Sequence, residues 1–141
     1  MKILAIRLKN LASLAGPFEL DFTAEPLASA GLFAITGPTG AGKSTLLDAL
    51  CLALFGAVPR LNNTGRDAKV PDVDGEIATG DPRTLLRRGT GEGYAEVDFL
   101  GIDGRRYRAR WEANRAREKA TGKLQASRQS LRDLDSDQLL A

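Results

Sequence analysis

The stretch Gly31-Leu-Phe-Ala-Ile-Thr-Gly-Pro-Thr-Gly-Ala-Gly-Lys-Ser-Thr-Leu-Leu-Asp-Ala-Leu50 decides how the chain is read. Its first six residues are almost wholly apolar, as in a central strand covered on both faces. Its far end runs on through Cys51-Leu-Ala-Leu-Phe55 and predicts a helix over 44–55, stopped by Gly56 and Pro59. That helix is apolar nearly all round and is expected to be buried. Between the two lies Gly37-Pro-Thr-Gly-Ala-Gly42-Lys43-Ser44, which fits glycine, four residues, glycine, lysine and serine in the required strand-to-helix setting.

Such a loop can wrap with its backbone N–H groups pointing inward, making a nest for phosphate oxygens that side chains would obstruct. The helix N-terminus beyond it adds about half a positive elementary charge. The pattern therefore assigns Gly37, Pro38, Thr39, Gly40, Ala41, Gly42, Lys43, Ser44 and Thr45 to the phosphates of a nucleotide. Lys43 is expected to reach the beta and gamma phosphates, Ser44 to offer its hydroxyl to Mg2+, and Thr45 to bond the alpha phosphate. Lys43 and Ser44 are the candidate catalytic residues.

Outward from this core, Leu4, Ile6 and Leu8 alternate with Ala5, Arg7 and Lys9, the two-residue period of a half-buried strand. After Gly16-Pro17 the residues Phe18, Leu20 and Phe22 alternate with Glu19 and Asp21, which predicts a first hairpin within 1–30. Segment 31–56 holds the strand, loop and helix, and 57–93 reads as irregular. In 94–141, Ala95, Val97 and Phe99 alternate with acids, and Asp103-Gly104 turns into Arg105–Trp111, a second hairpin in a β-rich, basic subregion. Leu131, Leu134, Leu139 and Leu140 add weak strand signals.

At 141 residues, 43% hydrophobic and 27% charged, the chain has the composition of a globular protein. It contains no histidine, which excludes His-based acid–base catalysis, Ser-His-Asp and Cys-His triads and His-containing metal sites. The single cysteine, Cys51, cannot form an internal disulfide, so a reducing cytoplasm is expected. The N-terminal residues do not form a signal peptide, and no run reaches the roughly 18 apolar residues a membrane helix needs.

The net charge of +2 is the sum of −3 over residues 1–104 and +5 over residues 105–141. Arg105, Arg106, Arg108, Arg110, Arg115, Arg117, Lys119 and Lys123 surround only Glu112 and Glu118, with Tyr107 and Trp111 interleaved. Three readings stay open for 105–123: a solvated hairpin face, a protein interface, or a nucleic-acid contact through Arg115, Arg117, Lys119 and Lys123. The aromatics are more simply core or cross-strand partners than base-stacking platforms.

The loop alone leaves the reaction open. Asp72-Val-Asp-Gly75 matches the Asp-x-x-Gly of GTPases by letter, but no Asn/Thr-Lys-x-Asp base-reading motif follows. A small-molecule kinase would need an Arg-bearing lid, for which the flanking hairpins are not arranged.

Residues 1–14, 31–50 and Pro59-Arg-Leu61, with Tyr94–Phe99 and Gly104–Trp111, resemble the N-terminal end of the SbcC family of SMC-like ATPases. The resemblance covers nearly the whole chain and is strongest over residues 1–61. It implies an α/β P-loop NTPase fold: the N-terminal lobe of an ABC-type ATPase head, with a mixed sheet and β-hairpins around one buried helix. It also implies ATP and Mg2+, an SbcD-like nuclease subunit as partner, a second SbcC head joined through ATP, and double-stranded DNA. The family's Asp-Glu after four apolar residues, its Leu-Ser-Gly-Gly signature and its Gln loop have no counterpart here. Ala12 stands where archaeal and eukaryotic members carry an arginine. On this reading the 141 residues are a partial nucleotide-binding head that supplies a phosphate cradle for an ATPase controlling a nuclease. A truncated chain without activity of its own, or a nucleic-acid-binding module, are the alternatives.

Overall fold

Alternating apolar and charged residues in the longer strands give the sheet one wet face, and that sheet is the frame of the molecule. The computed structural model describes residues 1–62 and 68–141. The strands are β1 (Lys2–Lys9), β2 (Phe18–Asp21), β3 (Lys69–Asp72), β4 (Gly75–Ala78), β5 (Glu92–Leu100), β6 (Arg106–Asn114), β7 (Arg128–Asp133) and β8 (Gln138–Leu139). The helices are α1 (Lys43–Phe55) and the single turn α2 (Pro59–Asn62), with 3-10 turns at Pro82–Leu85 and Ala116–Glu118.

Six strands form one sheet in the order β2-β1-β5-β6-β7-β8, and β3 pairs with β4 in a separate ribbon. Every one of these pairings is antiparallel, as in both expected hairpins. Ile6 pairs with Val97 and Val97 with Ala109, while Leu8 pairs with Ala95 and Ala95 with Trp111, so one face carries a continuous apolar layer. A register shift between Ile3 and Ala5 corrects the simple alternation of β1. The bulge lets Ile3 join Ile6 and Leu8 against the core, where strict period two would have placed Leu4.

Helix α1 lies on this layer through Leu46, Ala49, Leu52 and Ala53. Each fully buried leucine contributes about 1.5–3 kcal/mol relative to an exposed one. Gly56, at φ 66, ends the helix by donating its N–H to the Leu52 carbonyl at 2.9 Å. The expectation of a helix buried all round is corrected: Leu47 is 60% and Phe55 72% exposed.

The central strand expected at 31–36 is not formed, and with it goes the mixed character of the sheet among the described residues. A strand needs hydrogen-bond partners alongside, and the six paired strands satisfy one another without flanking this run. Instead Phe33 stacks on Phe22, with ring centroids 5.2 Å apart, and the segment borders an apolar groove of about 410 Å³ lined by Ile3, Ile6, Phe22, Leu27, Leu47 and Leu50. Segment 57–93, expected to be irregular, holds the β3–β4 hairpin, because Val73-Asp74 supplies a two-residue turn. Residues 63–67 of that segment lie outside the described residues.

Candidate phosphate-binding site

Between the irregular 31–36 run and α1, the chain must reverse within a few residues, and glycines make this possible. Gly40 has φ 83 and Gly42 φ 102, both in the region that side-chain-bearing residues avoid. Ala41 donates its N–H to the Pro38 carbonyl at 3.1 Å, closing the turn. Gly42 caps α1 without a side-chain hydrogen bond, and no acidic residue lies in the first helical turn. The helix end thus keeps its positive pole uncompensated by its own side chains.

Thr39, Gly40, Gly42, Lys43, Ser44 and Thr45 line one cavity of about 350 Å³, joined from outside the motif by Ser13. Gly37, Pro38 and Ala41, assigned to the same phosphates, do not line it. The Lys43 ammonium is folded onto the loop, donating to the Gly37 carbonyl and to that of Pro38 at 3.0 Å. Ser44 is exposed and Thr45 buried. The donor set is amides, one ammonium and hydroxyls, which fits phosphate oxygens, and the Ser44 hydroxyl is a hard oxygen suited to Mg2+.

Four residues around the site are ones that the motif does not name. Asp48 is buried in α1, and both of its oxygens accept from Arg60 Nε at 2.9 Å, which fastens α2 to the helix. The signal was present, since Asp48 is the one charge in an apolar helix beyond its first residue. Ser13 lies within the 1–14 stretch of the resemblance, which assigned it no contact, and Arg87 carried no signal, because only folding brings residues 74 positions apart into contact.

The candidate nucleic-acid residues do not stay together. Arg115 is buried at the end of β6 and binds Asp72 bidentately, Nη2 to Oδ1 at 2.7 Å and Nη1 to Oδ2 at 3.1 Å. Its expected exposure is thereby corrected: a carboxylate from the β3–β4 hairpin claims it. Arg117, Lys119 and Lys123 are exposed on the loop beyond. That loop is closed by Ala116 N–H to the Lys123 carbonyl and Gly122 N–H to the Lys119 carbonyl, both at 2.8 Å. None of the three has an ion-pair partner among the described residues.

The other arginines of the basic run are neutralised across the sheet. Arg108 Nε lies 2.7 Å from Asp98, Arg7 Nη1 lies 2.9 Å from the same carboxylate, and Arg110 Nη1 lies 2.9 Å from Glu96. Burial pushes the Asp98 carboxyl up, but hydrogen bonds from Arg108 and Arg7 outweigh it and hold the group below its usual range. Trp111 is fully buried, and Tyr107 stacks on Phe99 and donates to Asp103 at 2.5 Å, so both aromatics serve the fold.

The profile of the AAA domain family matches residues 5–141. The chain is 71% identical over its whole length to the SbcC component of the nuclease SbcCD from Pseudomonas aeruginosa and 58% identical to the protein of that name from Rhodobacter capsulatus. It is 34% identical, over 77% of its length, to an Aquifex aeolicus protein named "Probable DNA double-strand break repair Rad50 ATPase". The chain spans 12% of the length of the first two relatives and the match covers 9% of the third.

Proposed function

This chain belongs to the AAA domain family, and from that premise we propose that it is the ATP-binding lobe of an SbcC-like DNA double-strand-break repair ATPase. The observation that carries this reading is the single cavity in which Gly40, Gly42, Lys43, Ser44 and Thr45 converge at the start of α1. Such a convergence supports a P-loop in the N-terminal lobe of an ABC-type head.

Loop amides and the helix end bind and orient the phosphates, spreading their charge over several fixed donors. Lys43 leaves the Gly37 and Pro38 carbonyls and turns to the beta and gamma phosphates, exchanging two neutral acceptors for charged ones. Thr45 holds the alpha phosphate and Ser44 directs its hydroxyl at Mg2+. When bound, Mg2+ supplies neutralisation of charge on the phosphoryl oxygens. Catalysis of this kind is mostly positioning and electrostatics. Hydrolysis belongs to the assembled protein, in which a second head joins through ATP and an SbcD-like nuclease subunit is controlled. The chain alone binds without turning over. We place it in the cytoplasm; among the described residues no helix is long and apolar enough to cross a membrane.

A second component of the reading is double-stranded DNA, favoured by the exposed Arg117, Lys119 and Lys123 on one closed loop, without ion-pair partners among the described residues. For the main reading the decisive comparison is Mg·ATP affinity of the chain and of its Lys43→Ala variant. A loss of about two orders of magnitude is expected, and unchanged affinity sinks the assignment.

A further inference from the structure

We propose that Arg87 is a positioning residue of the nucleotide site, acting through the backbone of Ala12 and Ser13. This rests on the reading of 37–45 as the phosphate loop, and it concerns how one wall of that cavity is held.

The wall is a tight reversal at the end of β1. Leu11 and Leu14 exchange backbone hydrogen bonds at 3.0 and 2.9 Å, and Asn10 donates to the Ala15 carbonyl at 2.7 Å. To close so sharply, Asn10 and Ala12 take φ 52 and 48, left-handed conformations that asparagine tolerates but that strain alanine. The reversal touches the phosphate loop twice. Ser13 lines the cavity with Thr39, Gly40 and Lys43, and the Leu14 side chain fills the space against Gly42 where a Cβ would stand, 2.8 Å from Leu14 Cδ2.

Something must hold this reversal from outside, and the strap at 85–87 does so. Ala12 donates to the Leu85 carbonyl at 2.8 Å, and Arg87 N–H donates to the Asn10 carbonyl at 2.8 Å. These backbone bonds secure the base of the turn. At the tip, Ala12 has that one backbone bond, and the Ser13 carbonyl is reached by a side chain: Arg87 Nη1 donates to it at 2.5 Å, with the Ala12 carbonyl 3.5 Å away. A planar, permanently charged guanidinium suits this, since one nitrogen can serve two carbonyls that the left-handed Ala12 turns to the same side. With the tether gone, the strained tip relaxes, Ser13 leaves the cavity wall and Leu14 no longer braces Gly42. A displacement of about 1 Å at such a shell loosens binding at the site it supports.

The test measures Mg·ATP affinity of the full chain and of Arg87→Ala, Arg87→Lys, Arg88→Ala and Lys43→Ala, each with its thermal midpoint. Arg88 is the exposed neighbour with no hydrogen bond or ion pair among the described residues. Arg87→Ala is expected to weaken Mg·ATP about tenfold, Arg87→Lys to recover most of it by donating to the same carbonyl, and Arg88→Ala to change nothing. Amide exchange over 12–14 should quicken in Arg87→Ala and be restored by Arg87→Lys. If Arg87→Ala does not fold, Arg87→Lys decides: its affinity must fall between wild type and a tenfold loss, with the midpoint near wild type. Arg87→Ala affinity within twofold of wild type, or an equal loss in Arg88→Ala, overturns the tether while Lys43→Ala still reports on the loop. Binding indifferent to Lys43→Ala overturns the phosphate-loop reading itself.

Discussion

Leu14 Cδ2 lies 2.8 Å from the point where a Cβ on Gly42 would stand, so the end of the first strand and the start of the first helix interlock with no room for a methyl group. Gly42 meets two independent demands there, a left-handed backbone at φ 102 and this contact. Gly42→Ala should therefore destabilise the chain by about 1–3 kcal/mol and weaken Mg·ATP binding. Combining it with Leu14→Ala should recover the steric part of the nucleotide affinity and leave the backbone part. A double-mutant cycle by thermal unfolding and nucleotide titration reads this directly. Strict additivity of the two changes would show that the contact is not the constraint.

Arg115 and Asp72 join the end of β6 to the β3–β4 hairpin through two hydrogen bonds between mostly buried groups. Arg115→Ala leaves the carboxylate without its partner and should cost roughly 2–3 kcal/mol. Replacing Arg117 with alanine, on the exposed loop two residues away, should cost less than about 0.5 kcal/mol. Chemical unfolding of the two variants compares them, and equal losses would remove the ion pair as the explanation.

Acid should weaken the sheet through Asp98. Hydrogen bonds from Arg108 and Arg7 hold its carboxyl below the usual value despite burial. A group whose pKa is lower in the folded state stabilises fully above its unfolded value and loses that contribution as pH falls through the folded one. The loss is expected below about pH 4. Asp98→Asn should flatten the fall in thermal midpoint between pH 5 and pH 3 (values on the order of those bracketing an ordinary carboxyl). A slope equal to that of wild type contradicts the assignment.

DNA contact, if it uses the loop after β6, depends on Arg117, Lys119 and Lys123. Reversing all three charges should lower duplex affinity at least tenfold and reduce the slope of log affinity against log salt by about 2–3, one counterion released per phosphate neutralised. Arg105→Ala should leave the slope alone, because Asp133 already engages that guanidinium. An unchanged slope in the triple variant points the loop away from DNA.

Much was legible in the residues alone. Period-two alternation gave both hairpins, because a half-buried strand must separate apolar from charged residues on its two faces. Gly37 to Ser44 gave the loop, since few other residues can follow that backbone path, and Gly56 gave the helix end.

What the alternation could not reveal was where a register would slip. The bulge near Leu4 exchanges inward and outward residues at the start of β1, and only pairing with β5 specifies it. Nor could apolar content tell a central strand from an exposed run. Residues 31–36 have the composition of the first and the environment of the second, because strand formation depends on neighbours and not on the segment itself. Charge was equally silent about its own neutralisation. The run from Arg105 to Lys123 reads as one basic stretch, yet cross-strand acids and Asp72 claim most of it and leave Arg117, Lys119 and Lys123 outside. The local chemistry of the 37–45 loop is written in its own nine residues, because amides, an ammonium and hydroxyls act wherever the chain carries them. That Ser13, Leu14 and Arg87 surround it was settled by folding, since contacts across 74 residues exist only once the sheet has brought both ends of the strap together.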